Sequence, residues 1–429
     1  MRKNKVFKKT GEAVEVFYSS KRKPPALYEY VDSDISGLVP KKKNEARPWY
    51  NWGANNLFPN DIFKHVYLND IKPELIKQSV DLICGNGVFT YREIIDPTTK
   101  KKTIELVDDP QINDFFYRNR IDTFFRERVH NLELYGNAFA ELIPDGNNKI
   151  QWIKNKPACD VRAEYIDPSF GRILNYYLCG DWRFAIYDQS QTGGGTVDKI
   201  SSFFRYDEAR YDKYIHHSKY YLPGQDYYSF PIWYFGTKAW AELSTEISSF
   251  QLANLQNGMS LRFHVKIPKT YFDQFPEEKR EAKKAEIQDA LDDMLAGSEN
   301  ASKTFFSFID TIGGSQVQGW DIIPINFDSK DDTFLNTFDV SSRANSRGHG
   351  IHPTLSGIDI KGNLGSGSEI LNLYNYHVGV KAVGQRDVAL EIFYDISERN
   401  GWDRSIKFGV EYVQMTTVDK NPTGKQNVA

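Results

Sequence analysis

The stretch Pro231–Gly258, PIWYFGTKAWAELSTEISSFQLANLQNG, organises the reading of everything around it. Trp233, Gly236, Trp240, Leu243, Ile247, Phe250 and Asn254 follow one another at spacings of 3, 4, 3, 4, 3 and 4. That alternation keeps one face of an α-helix in register over about three heptads. Proline stands at the start, where a helix needs no amide donor, and Gly258 at the end, where a left-handed residue closes it. The spacing predicts one long helix with a single packing stripe.

Downstream of it, residues 262–330 read as a small α/β insert. Phe263–Ile267 is strand-like. Pro276 to Ala296 reads as a charged helix closed by Gly297, carrying Glu277, Glu278, Glu281, Glu286, Asp289, Asp292 and Asp293 against four cations. Thr304–Ile309 and Gly319–Ile325 are expected to pair as a hairpin around Thr311-Ile312-Gly313-Gly314. A second helix is expected over 331–349. The Gly-rich stretch 350–367 follows, then a helix over 368–401. Gly379 and Gly384 lie inside that helix, and glycines in a helix interior mark a place to bend. One strand, Ile406–Val413, is expected in the tail 402–429.

Upstream, Trp52-Gly-Ala-Asn-Asn-Leu-Phe-Pro59 is turn-rich. Helices are expected at about 60–67 and 71–84, the second ended by Gly85-Asn86-Gly87. VFTYREII and KKTIELV read as a hairpin around Asp96-Pro97. One helix is expected over about 110–135, and the stretch Leu134–Ile143 then turns into a strand. Short alternating runs over 148–222 read as a β-meander. The first fifty residues stand apart with twelve Lys/Arg against six Asp/Glu, a net of +6 in a chain whose total is −3. They read as a basic arm.

Composition narrows the function. A chain of 429 residues with 54 Lys+Arg and 57 Asp+Glu is not a uniformly basic nucleic-acid binder. Cys84, Cys159 and Cys179 show no CxxC spacing, so neither a disulfide framework nor a Cys-based zinc site is expected. The N-terminus is basic without an apolar stretch, and no run of about 18 apolar residues occurs, so neither a signal peptide nor a membrane span is expected.

The residues that could carry chemistry do not converge. Gly362-Asn-Leu-Gly365-Ser-Gly367 precedes a helix, as a phosphate cradle would, but no Gly-Lys-Ser/Thr accompanies it. His216 with His217, and His349 with His352, lack a third ligand in register. Asp292-Asp293 and Asp331-Asp332 sit in charged stretches, where a raised carboxyl pKa is hard to arrange. No GxSxG element occurs. No catalytic residue, metal or cofactor is expected. A carbohydrate-active enzyme, suggested by the 14% of aromatic residues, would need a pair of buried carboxylates at a cleft.

The order of the elements resembles that of the portal, or head-to-tail connector, proteins of tailed double-stranded DNA bacteriophages. Trp52–Pro59 and the helix ending Ile83-Cys-Gly-Asn-Gly87 are similar to that family. So are His130-Asn-Leu-Glu-Leu-Tyr-Gly-Asn-Ala-Phe-Ala-Glu-Leu-Ile143 with Ile150-Gln-Trp-Ile153, Tyr227-Tyr-Ser-Phe-Pro-Ile-Trp233, and Gly365-Ser-Gly-Ser-Glu369. Together they span about residues 50–400, and their order matters more than any single motif. Another virion structural protein, such as a minor head protein or adaptor, is the alternative; the insert between two helices speaks against the shorter adaptors.

The resemblance implies an α+β subunit: a basic N-terminal arm over 1–50, an α/β wing over 51–230, a stem helix over 231–261 and a clip over 262–330. It further implies a second stem helix over 331–349, a tunnel loop over 350–367, a long kinked helix over 368–401 and a reduced crown or C-terminal tail over 402–429. Twelve copies would form a ring at one capsid vertex, through which double-stranded DNA is packaged and ejected without sequence preference. Partners would be the terminase large subunit, the major capsid protein, a head–tail adaptor and a scaffold protein, with assembly in the host cytoplasm. The portal itself would catalyse nothing.

Residue roles follow as expectations. A channel that lets DNA slide must not hold phosphates tightly. Ile358, Asp359, Ile360, Lys361 and Asn363 are expected to line it, with Lys361 the sole cation between His352 and Glu369. Trp233, Trp240, Leu243, Ile247 and Phe250 would pack on the returning stem helix and on the adjacent subunit. Glu277, Glu278, Glu281, Glu286, Asp289 and Asp293 would form the docking surface of the clip. Gly379 and Gly384 would bend the long helix.

Overall fold

The computed structural model describes residues 47–98, 100–185, 197–206, 209–256, 263–287, 305–309, 321–324, 331–358 and 367–412. The chain is α+β, with open sheets. Helices α1 (Phe58–Tyr67) and α2 (Lys72–Cys84) come first, then strands β1 (Gly87–Ile95) and β2 (Lys102–Leu106). Helices α3 (Pro110–Asn119) and α4 (Ile121–Tyr135) follow. The single helix expected over 110–135 is therefore two. Arg120 between them adopts a left-handed backbone, φ 48° and ψ 58°, which no helix interior tolerates. Asn119 supports the break by donating to the Phe115 and Gln151 carbonyls.

A six-stranded sheet comes next: β3 (Asn137–Pro144), β4 (Ile150–Lys156), β5 (Val161–Ala163), β6 (Asn175–Leu178), β7 (Asp198–Ser202) and β8 (Tyr214–Lys219). Its order is β4-β3-β8-β7-β6-β5, and β7 runs parallel to β8. The meander expected over 148–222 is corrected accordingly. The connection from Ser202 to Tyr214 is longer than a tight hairpin, so β8 enters in the same direction as β7 and pairs on its other side with β3.

Helix α5 (Ile232–Gln256) leaves this unit. A separate three-stranded sheet holds β9 (Phe263–Pro268), β10 (Phe305–Ile309) and β11 (Asp321–Pro324). The expected hairpin of the last two does not form. β9 lies between them, parallel to β10 and antiparallel to β11. Eleven residues separate β10 from β11, more than a tight hairpin turn uses. The turn Thr311–Gly314 itself lies outside the described residues.

Helix α6 (Asp331–Gly348) returns to the main unit. Helix α7 (Gly367–Tyr376), a π-helical turn (His377–Lys381) and α8 (Val383–Asn400) follow. Strand β12 (Lys407–Glu411) then pairs antiparallel with β1, giving the order β12-β1-β2. The tail strand, expected from sequence in a separate C-terminal tail, is thus part of the core of the main unit. Trp402, Ile406, Phe408 and Val410 are buried in the same cluster as Phe125, Phe139 and Phe393. The pairing partner lies some 320 residues earlier, beyond what local pattern can reveal.

One glycine makes that closure possible. Gly85 ends α2 with φ +47°, and a Cβ on it would stand 2.1 Å from the Glu411 carbonyl oxygen. The backbone has no way to yield, because Asn86 N–H donates to that same oxygen at 2.9 Å. Gly85→Ala is expected to cost about 2 kcal/mol or more. A urea midpoint unchanged from the parent would refute the close packing of α2 on β12.

Candidate functional site

Helices α5 and α6 run antiparallel and touch along their length. Phe250 meets Phe334 at a ring distance of 5.3 Å, the Ser341 hydroxyl donates to the Trp240 carbonyl at 2.5 Å, and Gly348 lies against Thr237. A Cβ at Gly348 would stand 1.9 Å from the Thr237 methyl, so the helices close to a distance only glycine permits there. Ser244, Ser341, Asn345 and Ser346 are buried. The seam is narrow and polar near the main unit, with aromatic rings outside it.

The main unit grips the base of this pair. Asn69, in the turn between α1 and α2, donates to the Ala241 carbonyl at 2.9 Å and to Ser244 Oγ at 3.0 Å. Trp233 Nε1 donates to the Glu133 carbonyl at 2.8 Å. Lys72 is wholly buried, with its Nζ 4.5 Å from the Trp233 ring centre. It donates to Thr237 Oγ1 at 2.5 Å and lies 3.2 Å from His349 Nε2. The His349 ring stacks on Trp233 at 4.9 Å. One lysine thus joins α2, α5 and the end of α6. Burial pushes its ammonium down to about 7. Burial, then the charge of Lys72, holds His349 well below the usual imidazole range.

The long helix is tied to the main unit in two places. Glu133 accepts from Ser79 Oγ at 2.6 Å, Tyr220 OH at 2.6 Å and Gln385 Nε2 at 3.3 Å. Burial raises its pKa, and those three donors oppose the rise. Arg128 donates to the Ala389 carbonyl at 3.1 Å and to Ser218 Oγ at 2.6 Å; Ser218 passes a hydrogen bond to Glu391 at 3.0 Å. His216 Nε2 meets Asp395 at 2.9 Å. Burial pushes Asp395 up, but His216 and Arg205 prevail, and its pKa falls below the ordinary carboxylate value.

The sequence-derived candidates fall into three places. On α5, Trp233 and Ile247 are buried. Trp240, Leu243 and Phe250 keep 37%, 36% and 42% of their surface exposed, too much for large apolar groups that have finished packing. Ile232, Leu252, Leu335 and Val340 are exposed on the same helix pair. In the insert, Glu277 and Glu278 stand in a 3₁₀ turn, and residues 280–287 are helical. Glu281 and Glu286 each hold a lysine three residues away, at Lys284 and Lys283. Asp289 and Asp293 lie outside the described residues. Before the long helix, Ile358 is half-buried and donates its N–H to the Pro353 carbonyl at 3.0 Å. Asp359, Ile360, Lys361 and Asn363 lie outside the described residues. Gly379 sits within the π-helical turn, and Gly384 is the second residue of α8.

Sequence reading missed Lys72, Glu133 and Arg128, since a polar residue at a core position has no periodic signature. It also passed over Arg343, Arg347, Glu242 and Glu246, although their spacing of four was a signal. Arg343 and Arg347 line a groove of about 580 Å³ between α5 and α6, with Gly236, Trp240 and Val340. Among the described residues no group of three or more His, Cys, Asp and Glu could hold a metal, and no helix is long and apolar enough to cross a membrane.

No family model matches this chain, and no curated protein matches it by sequence. Its fold does match solved structures. It is similar to a chain of the virion of a native gene transfer agent particle, at 14% identity and TM-score 0.54, with 91% of each chain covered. It is similar to a chain of the neck of the native particle computed with C12 symmetry, at 15% identity and TM-score 0.53, covering 91% of this chain and 92% of that one. A neck chain of the empty particle computed with C6 symmetry matches at 13% and 0.53, covering 86% and 91%. Over 86–91% of its length, the chain shares its fold with chains of a phage-like virion and its neck, consistent with a portal or connector fold.

Proposed function

We propose that this chain is the subunit of a portal ring, a twelve-fold assembly at one capsid vertex through which double-stranded DNA enters and leaves. In this reading residues 51–230 form the wing with β12 closing its sheet, and α5 and α6 form the stem. The sheet of β9, β10 and β11 with the charged stretch after Pro276 forms the clip. Ile358 and the residues after it, Lys361 among them, border the channel. The carboxylates from Glu277 onward offer the terminase large subunit, and later a head–tail adaptor, a surface to dock on. The major capsid protein surrounds the wing, and the basic arm faces scaffold or shell. The chain is structural and catalyses nothing.

The observation that carries the reading is the unfinished packing of the stem pair. Trp240, Leu243, Phe250, Leu252, Leu335 and Val340 stand exposed on two adjacent helices in a chain whose fold recurs in neck structures computed with C6 and C12 symmetry. Apolar area of that kind on a soluble chain marks a contact with another macromolecule. A closed ring of identical copies covers it by head-to-tail contact.

The mass of the purified protein and negative-stain images of the same sample test this. Twelve copies of 49.5 kDa give about 594 kDa. Rings with a central hole are expected at that mass. A particle that stays at 49.5 kDa at every concentration, with no rings in the images, counts against the proposal.

A further inference from the structure

The stem pair carries two opposite charged faces whose spacing matches. Arg343 and Arg347 are four residues apart on α6 and line the groove with Trp240. Arg347 is exposed; Arg343 is half-buried, and its Nε is buried with no hydrogen-bond partner. Neither guanidinium meets a carboxylate among the described residues. Glu242 and Glu246 are four apart on α5, both exposed, and neither meets a cation among the described residues.

These two faces point apart. At about 100° per residue, Glu242 and Glu246 lie roughly 200° and 240° round α5 from Trp240. Trp240 looks into the groove, so the glutamates stand on the side of α5 turned away from it. No side-chain motion brings them to the arginines of the same chain. Ser341 is level with Trp240 through its hydrogen bond, which in antiparallel helices puts Arg343 and Arg347 level with about residues 238 and 234. The middle of the arginine pair therefore stands about 12 Å along the stem from the middle of the glutamate pair. Rotation about a ring axis carries one face to the other where the stem leans across that axis far enough to take up this offset.

We propose that Glu242 and Glu246 of one copy enter the groove of the next and pair with its Arg343 and Arg347. This rests on the ring reading above and names the contact that closes it. The occupant of the groove is a second copy of this chain. The two carboxylates complement the two guanidinium groups in sign and in spacing, about 6 Å in each case at 1.5 Å rise per residue. The glutamate face also carries the exposed Phe235, and Leu243 lies close beside it, so apolar area is buried beside the charges. The unpartnered Nε of Arg343 gains an acceptor, removing an unsatisfied buried donor. The contact is head-to-tail, so each copy gives one face and receives the other, as a closed ring requires.

Charge reversal tests the proposal, with native mass and negative stain as readouts. R343E/R347E alone puts like charges in contact, and so does E242R/E246R alone; each is expected to lower the ring fraction about tenfold or more. Mixing the two variants restores every contact in an alternating order, so mixed rings are expected, as are rings of the fourfold variant. Circular dichroism of each double variant should match the parent, and recovery on mixing shows in any case that both fold. If R343E/R347E assembles like the parent, or if mixing restores nothing, the pairing is wrong. In the first case, weaker binding of a DNA duplex by those rings would assign the arginines to the lumen instead. A parent protein that forms no ring fails the portal reading itself, a result the parent control alone reveals.

Discussion

Arg162→Ala is expected to lower stability by about 3–5 kcal/mol, the usual range when a buried, fully bonded charge is removed. Arg162 is wholly buried in strand β5. Its Nε donates to Asn56 Oδ1 at 2.7 Å and its Nη2 to the Asn56 carbonyl at 2.7 Å. Its Nη1 reaches the carbonyls of Val161, Cys159 and Ala158 at 2.7, 3.1 and 3.3 Å. The guanidinium also lies over Trp182 at 4.8 Å and Trp52 at 5.7 Å. No carboxylate among the described residues bonds to it, so carbonyl dipoles and aromatic faces hold the charge. Burial lowers its pKa to about 10, still above neutral pH.

Truncation leaves a cavity and strands these oxygens without donors, and both costs add. Asn56 has φ 63°, and its Oδ1 also accepts from Trp52 N–H at 2.9 Å. Losing Arg162 therefore releases the whole turn Trp52–Pro59, on which the stacked Trp52 and Tyr228 rings sit. Arg162→Lys should rescue little, because an ammonium cannot reach the two sides of that fork at once. Guanidinium unfolding read by tryptophan fluorescence checks this. A loss below about 1 kcal/mol for alanine would mean that the five oxygens find water or other donors.

That same turn shows where sequence reading stops. Trp52–Pro59 is legible as a turn from its Gly, Asn and Pro content. The residue that organises it lies 106 positions on, in a strand that reads as an ordinary alternating run. Helix α5 was legible because burial at intervals of three and four is a local property. The break at Arg120 was not, since arginine rarely takes the left-handed backbone and nothing in its neighbours marks it. β9 between β10 and β11, and β12 beside β1, depend on partners that no local pattern names. The exposed rings of α5 were visible as apolar positions, but one chain's sequence cannot say which of them its own core will cover. Trp233 goes inward because Glu133 offers a carbonyl to its indole and Lys72 lies against its ring; Trp240, on the same stripe, has neither.

Lys72 gives the second large effect, a dependence of stability on pH that one substitution removes. An unfolded chain holds the lysine proton up to about pH 10.4. The folded chain releases it near 7, because the ammonium is buried against Trp233, Thr237 and His349 with no carboxylate among its hydrogen-bond partners. Between those values the unfolded state binds more protons, so stability rises with pH, by roughly 1.4 kcal/mol per pH step at most. Below 7 both states are charged, and the fold bears the whole cost of the buried cation. The groups around the site do not reverse this sign. Burial, then the charges of Lys72 and Lys238, pushes His65 down to about 4, and His349 is held low by burial and by Lys72, so both stay neutral through the window. Cys84, pushed up to about 12 by burial, acts the other way above about pH 8.5, but it does so with or without Lys72. Urea unfolding of the parent and of Lys72→Met at pH 7 and at about pH 9.5 isolates the term. Relative to the methionine variant, the parent should gain roughly 3 kcal/mol over that interval. Parallel curves would mean that Lys72 keeps its proton in the fold, and that Thr237 and His349 solvate an ammonium well enough to replace water where α2 meets α5 and the end of α6.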